Sequence, residues 1–296
     1  MTSRSKKLAQ FAKVCPTHLA DGLFVPRSEP EGKTDIRNIW DGGEIHFMGY
    51  KQLSVFDQSV LFSACARTGV EGLLVIGNSK STEGKEVQLK LPLLTDEELK
   101  KEGVVKSQNH SLGKTSAYLM LIDTGVKPGG YQYQRLIESL KKLSNITVYR
   151  SKITDSGKKV GGSMNLLSFT HDENDQIVIF LNWRLAGAIL GNNQNIQISL
   201  VERRKLKNSV AKILHAWCCG FIRLGECLMN GRGASYDSLC QHVWGISYYE
   251  LSENAKKQKR RRVKEALEEL SSLDGWQVEF YKHKVTICRG DALPIE

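Results

Sequence analysis

Apolar residues along this chain recur with two periods, and the switches between them outline the elements. From Asn254 to Leu273 the apolar positions Val263, Ala266, Leu267, Leu270 and Leu273 come at steps of three and four, so they share one face of a helix. After Asp274-Gly275, the run WQVEFYKHKVTIC alternates with period two, as a two-stranded hairpin does. Upstream, helical patterns cover 53–67 (Val55, Val60, Leu61 and Ala64 facing inward), 114–123, 131–144, 210–222 and 236–244, with Ser235 a natural N-cap for the last. Strand patterns cover 44–50, 73–76, 87–94, 146–153, 163–169 and 176–190, and the residues from Asp155 to Lys159 form a hairpin loop. Residues 1–35 hold Pro16, Pro26 and Pro30 among charges and keep no period, so a loosely ordered arm is expected there.

One pattern occurs twice. Residues 138–144 (ESLKKLS) and 265–271 (EALEELS) share E-x-L-x-x-L-S at a separation of 127 positions. Each ends a helix and leads into alternating apolar residues, Ile146 and Val148 in one case and Trp276, Val278 and Phe280 in the other. The order helix, helix, helix, hairpin is therefore repeated. It predicts an α+β chain of two tandem winged-helix domains: the arm over 1–35, a first domain over 36–192 and a second, DNA-binding domain over 193–296.

Charge changes the picture. The chain has 296 residues and an ordinary 41% hydrophobic content, but its net charge is +10. That balance points to nucleic acid or an acidic membrane surface as partner. From Arg203 onward there are 17 Lys+Arg against 11 Asp+Glu, while the first 202 residues carry 25 against 21, so the excess is concentrated in the C-terminal third. Lys256, Lys257, Lys259, Arg260, Arg261, Arg262 and Lys264 crowd into nine positions just ahead of the apolar stripe. A bare charge run is usually a solvated face or an import signal. Continuity with an amphipathic helix, and a hairpin directly after it, favour a recognition helix whose Arg and Lys reach phosphates and guanine edges. Lys257, Arg261 and Lys264 fall on one face of it. Lys282, His283 and Lys284 at the hairpin tip make a basic wing. In the first repeat Tyr131, Gln132, Tyr133, Gln134 and Arg135 open the matching helix, and Arg150, Lys152, Lys158 and Lys159 mark its wing. Gln and Arg are the side chains that pair with adenine and guanine edges.

Other chemistries find little support. The seven cysteines are odd in number and irregular in spacing, as expected of reduced thiols in a cytoplasmic protein. His215, Cys218, Cys219, Cys227, Cys240 and His242 match no zinc spacing, so neither metal nor cofactor is expected. Residues 72–79 imitate G-x-x-x-x-G-K-S but carry Asn78 where the phosphate-binding lysine belongs. No paired-His nicking motif and no Ser/His/Asp set can be picked out, so no enzyme is expected. No apolar run approaches the ~18 residues of a membrane span.

From Asn195 onward several stretches resemble replication protein C of IncQ-type broad-host-range plasmids. They are NIQISLVERRKL (195–206), VAKILHAWCCGFI (210–222), GRGASYDSLCQHVW (231–244) and the basic helix with its hairpin. HLADGLF (18–24) and the Gly-rich turn before Tyr131 fit as well, whereas 31–109 matches only loosely and the linker GISYYELSEN is longer than the family's. The resemblance implies a non-enzymatic replication initiator. It would bind directly repeated sites, the iterons, in the plasmid origin, open adjacent A+T-rich DNA and bring in the replicative helicase. It also implies two winged-helix domains, each entering a major groove. Initiators of this kind often switch between dimer and monomer, which leaves a homodimer open. A transcriptional regulator with the same domains would prefer a palindrome, and a DNA nicking enzyme would need a metal.

Overall fold

The structure is a computed structural model and describes residues 8–27, 31–40, 43–70, 74–75, 110–154, 156–191 and 194–291. Strand β1 (Phe11–Val14) buries Ala12 and Val14 and turns Lys13 outward, the alternation of a strand with one core face. A 3-10 turn at Pro16–Leu19 leads to β2 (Phe24–Val25), β3 (Thr34–Trp40), β4 (Gly43–Gly49) and β5 (Leu53–Ser54). Helix α1 (Val55–Val70) opens on a capping box. The Ser54 N–H donates to Asp57 Oδ2 at 2.7 Å, and the Asp57 N–H donates to Ser54 Oγ at 3.3 Å. Then come β6 (Leu74–Val75), β7 (His110–Ser116), α2 (Ala117–Asp123), α3 (Gly130–Ser144), β8 (Thr147–Ile153), β9 (Lys159–Asn165), β10 (Leu167–His171), β11 (Gln176–Leu181) and α4 (Trp183–Leu190). The remainder is β12 (Ile196–Ser199), α5 (Leu200–Lys205), α6 (Ser209–Phe221), β13 (Ala234–Ser235), α7 (Tyr236–Trp244), α8 (Glu253–Ser271), β14 (Trp276–Phe280) and β15 (Lys284–Arg289).

The architecture is mixed α+β. Two four-stranded sheets run in the orders β3-β4-β8-β9 and β10-β11-β7-β6, and a three-stranded sheet runs β13-β15-β14. β1 pairs antiparallel with β12, and β2 parallel with β5. Buried apolar side chains from Ala12 to Ile287 form one continuous core. Both copies of the repeated motif feed it: Leu140 and Leu143 on α3, and Leu267 and Leu270 on α8, are fully buried.

Polar contacts tie the two halves together inside that core. Arg203 on α5 donates to Gln58 Oε1 at 2.7 Å and to Ser59 Oγ at 3.1 Å on α1, and to the Lys212 carbonyl at 2.6 Å. Burial among neutral partners pushes the Arg203 pKa down to about 9. Asp123 at the end of α2 accepts from Arg67 Nε at 2.7 Å, Arg67 Nη2 at 2.8 Å, Ser63 Oγ at 3.0 Å and the Ala9 N–H at 3.0 Å, so one buried carboxylate joins α1, α2 and the N-terminal segment.

Several expectations need correction. The expected arm is ordered over 8–27, because β1 finds its partner in β12 (Phe11↔Ser199, Val14↔Ile196) and His18 and Leu23 are fully buried. The helix expected over 114–123 starts at Ala117, where Ser116 Oγ accepts the Leu119 N–H at 3.2 Å, and Lys114 to Ser116 belong to β7. The single strand expected over 176–190 is a strand and then a helix. Asn182 caps α4 by accepting the Arg184 and Leu185 N–H groups at 3.1 and 3.0 Å, and Gly191 ends it in the left-handed region. The β8–β9 hairpin extends into a four-stranded sheet with β3 and β4, strands the sequence pattern did not pair with it. The seven thiols are not all reduced: Cys227 and Cys288 form a disulfide. Leu74 and Val75 of the expected strand at 73–76 appear as β6, while 73, 76, 87–94 and the pseudo-P-loop residues 77–79 lie outside the described residues.

Candidate nucleic-acid interface

Helix α8 is built against its own dipole. Its basic residues gather at the N-terminal end, where the macrodipole is already positive, and Glu265, Glu268 and Glu269 sit toward the negative end. Left alone, that pattern would weaken the helix. Packing offsets it, because Val263, Ala266, Leu267 and Leu270 are fully buried and Leu273 nearly so. The ends are fixed separately. Ser252 Oγ accepts the Ala255 N–H at 3.4 Å, and Glu269 accepts the Lys207 and Asn208 N–H groups at 2.5 and 3.0 Å, holding α8 to the start of α6. The result is a helix clamped by its C-terminal half that gathers side-chain and dipole charge on the other half.

The seven basic residues divide by what they touch. Lys257, Arg260, Arg261, Arg262 and Lys264 are exposed, whereas Lys256 and Lys259 are half-buried. Lys259 lies 4.0 Å and Arg262 5.5 Å from the centre of the Trp244 ring, so these two cations also hold α8 against the end of α7. Burial lowers the Lys259 pKa, and Arg262 and Arg27 add like-charge repulsion. Arg27 is thus a basic neighbour that the sequence pattern did not single out. Arg260 pairs with Asp237 at 3.2 Å and Lys256 with Glu253 at 2.8 Å. Arg261 pairs with Glu265 at 3.4 Å and Lys264 with Glu268 at 3.8 Å, both one turn on along the same exposed face. Lys257 has no side-chain partner among the described residues. Lys257, Arg261 and Lys264 therefore form the outward basic stripe, and the exposed pairs within it are weak enough to exchange for phosphates.

The hairpin sets a second basic point beside the first. β14 and β15 pair from Trp276↔Arg289 to Phe280↔Val285. Tyr281, Lys282 and His283 form the exposed tip, and Lys284 begins the return strand. Lys264 Nζ lies 5.7 Å from the centre of the Phe280 ring, so the helix stripe and the hairpin adjoin.

The first half has the same parts with less charge to spare. Tyr131 and Gln134 on α3 are exposed, Gln132 is half-buried, and the Arg135 guanidinium lies over the Phe56 ring at 4.0 Å, packed and not projecting. Lys158 and Lys159 are exposed at the β8–β9 turn, but Lys159 is tied to Glu44 at 3.3 Å.

Behind the interface, Glu202, His215 and Cys219 place donor atoms within 4.8 Å of one another, a set whose donor types could ligate a metal. Glu202 Oε2 lies 2.7 Å from His215 Nε2 and 3.7 Å from Arg289 Nη2, so the buried carboxylate already faces two basic groups. Burial opposes charging His215, but Cys219 and Glu202 outweigh it and hold the imidazole at about 9. The network joins α5 and α6 to the end of β15. The other candidates from the cysteine and histidine pattern are elsewhere: His242 Nδ1 lies 2.5 Å from Asp21, Cys227 is bonded to Cys288, and Cys218 and Cys240 are separate buried thiols. Among the described residues, no helix is long and apolar enough to cross a membrane.

A mixed α+β fold carrying an anchored helix with a protruding basic half defines the structural class. Within it, the chain belongs to the replication protein C (RepC) family, whose model matches residues 8–291. No curated protein matches it. Among solved structures it is similar to domains 2 and 3 of RctB. One such structure, a selenomethionine derivative, gives a TM-score of 0.55 at 10% identity, covering 95% of this chain and all of the other. A second gives 0.50 at 10% identity, covering 90% and 92%. At that identity the likeness concerns the fold.

Proposed function

We propose that this chain is a non-enzymatic plasmid replication initiator of the IncQ type that binds direct repeats at the origin through two tandem winged-helix units. The observation that carries the reading is α8: its C-terminal half is locked in the core, and its outward stripe of Lys257, Arg261 and Lys264 adjoins the β14–β15 hairpin where Lys264 meets the Phe280 ring. In this reading α8 enters a major groove and the β14–β15 wing rests on the adjacent backbone. The α3 unit reads a second segment through Tyr131 and Gln134 with fewer phosphate contacts. Binding energy deforms the duplex, which is easiest at flexible and A+T-rich steps, and the opened strand receives the plasmid's helicase. Footprinting of the purified protein on the parent plasmid's origin is the test. Protection of tandem direct repeats beside an A+T-rich tract is expected, and protection of a lone palindrome would replace the initiator with a regulator. Cleavage of supercoiled origin DNA in the presence of a divalent metal would overturn the non-enzymatic part.

A further inference from the structure

Two cysteines stand apart from the other five. Cys15, Cys65, Cys218, Cys219 and Cys240 are buried thiols, whereas Cys227 and Cys288 are half-buried and bonded to each other. An antiparallel bridge sets them opposite one another, with Cα atoms 3.9 Å apart. Backbone bonds continue that register on one side: the Arg289 N–H donates to the Glu226 carbonyl at 3.0 Å, and the Gly225 N–H donates to the Gly290 carbonyl at 3.1 Å. Cys227 stands just before the Leu228–Gly231 turn that leads into β13, and Cys288 stands on β15. The bond therefore encloses β13, α7, α8 and β14 in one covalent loop, with a sequence separation of 61. That loop contains the whole basic stripe and the hairpin tip.

We propose that Cys227 and Cys288 are a reversible thiol–disulfide modification site, reacting with small disulfides of the glutathione type, and that its state regulates the α8–hairpin unit. The regulatory half rests on the DNA-binding reading above. Oxidation proceeds by two exchanges. The thiolate of one cysteine attacks a sulfur of glutathione disulfide, forming a mixed disulfide and releasing one glutathione thiolate. The second cysteine then attacks the protein sulfur of that mixed disulfide and expels the second glutathione. The pair gives up two electrons and two protons, and glutathione disulfide takes them up as two thiols. Both residues lie at partly exposed positions, unlike the five enclosed thiols, and in a reducing compartment such a bond forms and breaks with the surrounding thiol poise. When the bond is closed, β15 is tied to the turn that leads into α7, so hairpin and helix pair keep their spacing without DNA. When it is open, that spacing rests on the β13 pairings Ala234↔Val285 and Ser235↔Lys284 and on the backbone bonds at Gly225 and Glu226, with no covalent tie. The reduced unit must then be ordered at the moment of binding, which weakens affinity, and it loses the loop constraint on its unfolded state, which lowers its melting temperature.

The full chain, equilibrated with oxidised or with reduced glutathione, denatured and alkylated, gives the direct test by mass. We expect five alkylatable thiols after oxidation and all seven after reduction. Reduction should also lower the melting temperature and weaken origin binding several-fold in the wild type, and do neither in Cys227→Ser/Cys288→Ser. Seven thiols after treatment with oxidised glutathione would overturn the site without recourse to any variant, as would a redox response retained by the double variant. A changed thiol count with unchanged affinity would overturn the regulatory half. A chain that binds no DNA in either state but still changes its thiol count would refute the DNA-binding reading and leave the modification site standing.

Discussion

Removing acidic side chains from α8 should strengthen its grip on DNA. Arg261 and Lys264 point outward, but in the free protein they are held by Glu265 at 3.4 Å and Glu268 at 3.8 Å. Each pair must open before its cation reaches a phosphate. Exposed i,i+4 pairs are worth about 0.3–0.5 kcal/mol each. Changing both glutamates to glutamine removes about 0.6–1 kcal/mol of opposition, which converts to roughly a three- to fivefold gain in affinity at 1.4 kcal/mol per decade. Glutamine keeps nearly the same volume and helix propensity, so the helix should lose only a few tenths of a kcal/mol per pair. Fluorescence anisotropy on a duplex carrying the protected repeats, run from low to physiological salt, measures the change. We expect Glu265→Gln/Glu268→Gln to bind more tightly with an unchanged salt slope, because the same two cations reach phosphates in both proteins. Equal or weaker binding would refute the idea that this face meets the duplex.

Two further perturbations probe the scaffold. Leu267 is fully buried in a core shared by both halves, so Leu267→Ala should cost about 3 kcal/mol and lower the urea midpoint in one transition by circular dichroism; an unchanged midpoint, or separate transitions for the two halves, would contradict that packing. His215 titrates near 9 when folded and near 6.5 when unfolded, so its stabilisation is whole below about pH 6.5 and is lost as pH rises through 9, about 3 kcal/mol in all. The stability gap between wild type and His215→Gln should therefore shrink from pH 6.5 to pH 9.5, and a constant or widening gap would remove the Glu202–His215 pair from the account.

What the sequence made legible was local. The α8 stripe and the following hairpin are each specified by residues within a few positions of one another, and Val263, Ala266, Leu267 and Leu270 are all buried as their spacing requires. What it hid was long-range. FAKV is a strand because IQIS, far along the chain, supplies its partner, and three nearby prolines obscured the alternation. The run QIVIFLNWRLAGAIL is apolar throughout, so periodicity could not separate strand from helix; the Asn182 cap and Gly191 were the signals that could have done so. Arg135, Lys259 and Arg262 counted alike as free cations, yet each lies over an aromatic ring supplied by another element, Phe56 or Trp244. Cysteine spacing says nothing about which sulfurs meet, so the Cys227–Cys288 pair was invisible until the hairpin was folded.

The central claim is that the outward stripe of α8 neutralises phosphates. The most direct measurement is the salt dependence of origin binding for Lys257→Ala/Arg261→Ala beside the wild type, with the fold checked by circular dichroism. Each lost phosphate contact removes about 0.9 from the slope of log affinity against log salt, so the slope should become shallower by about 1.8 while affinity falls. A well-folded variant with wild-type affinity and wild-type slope would show that α8 does not face the DNA.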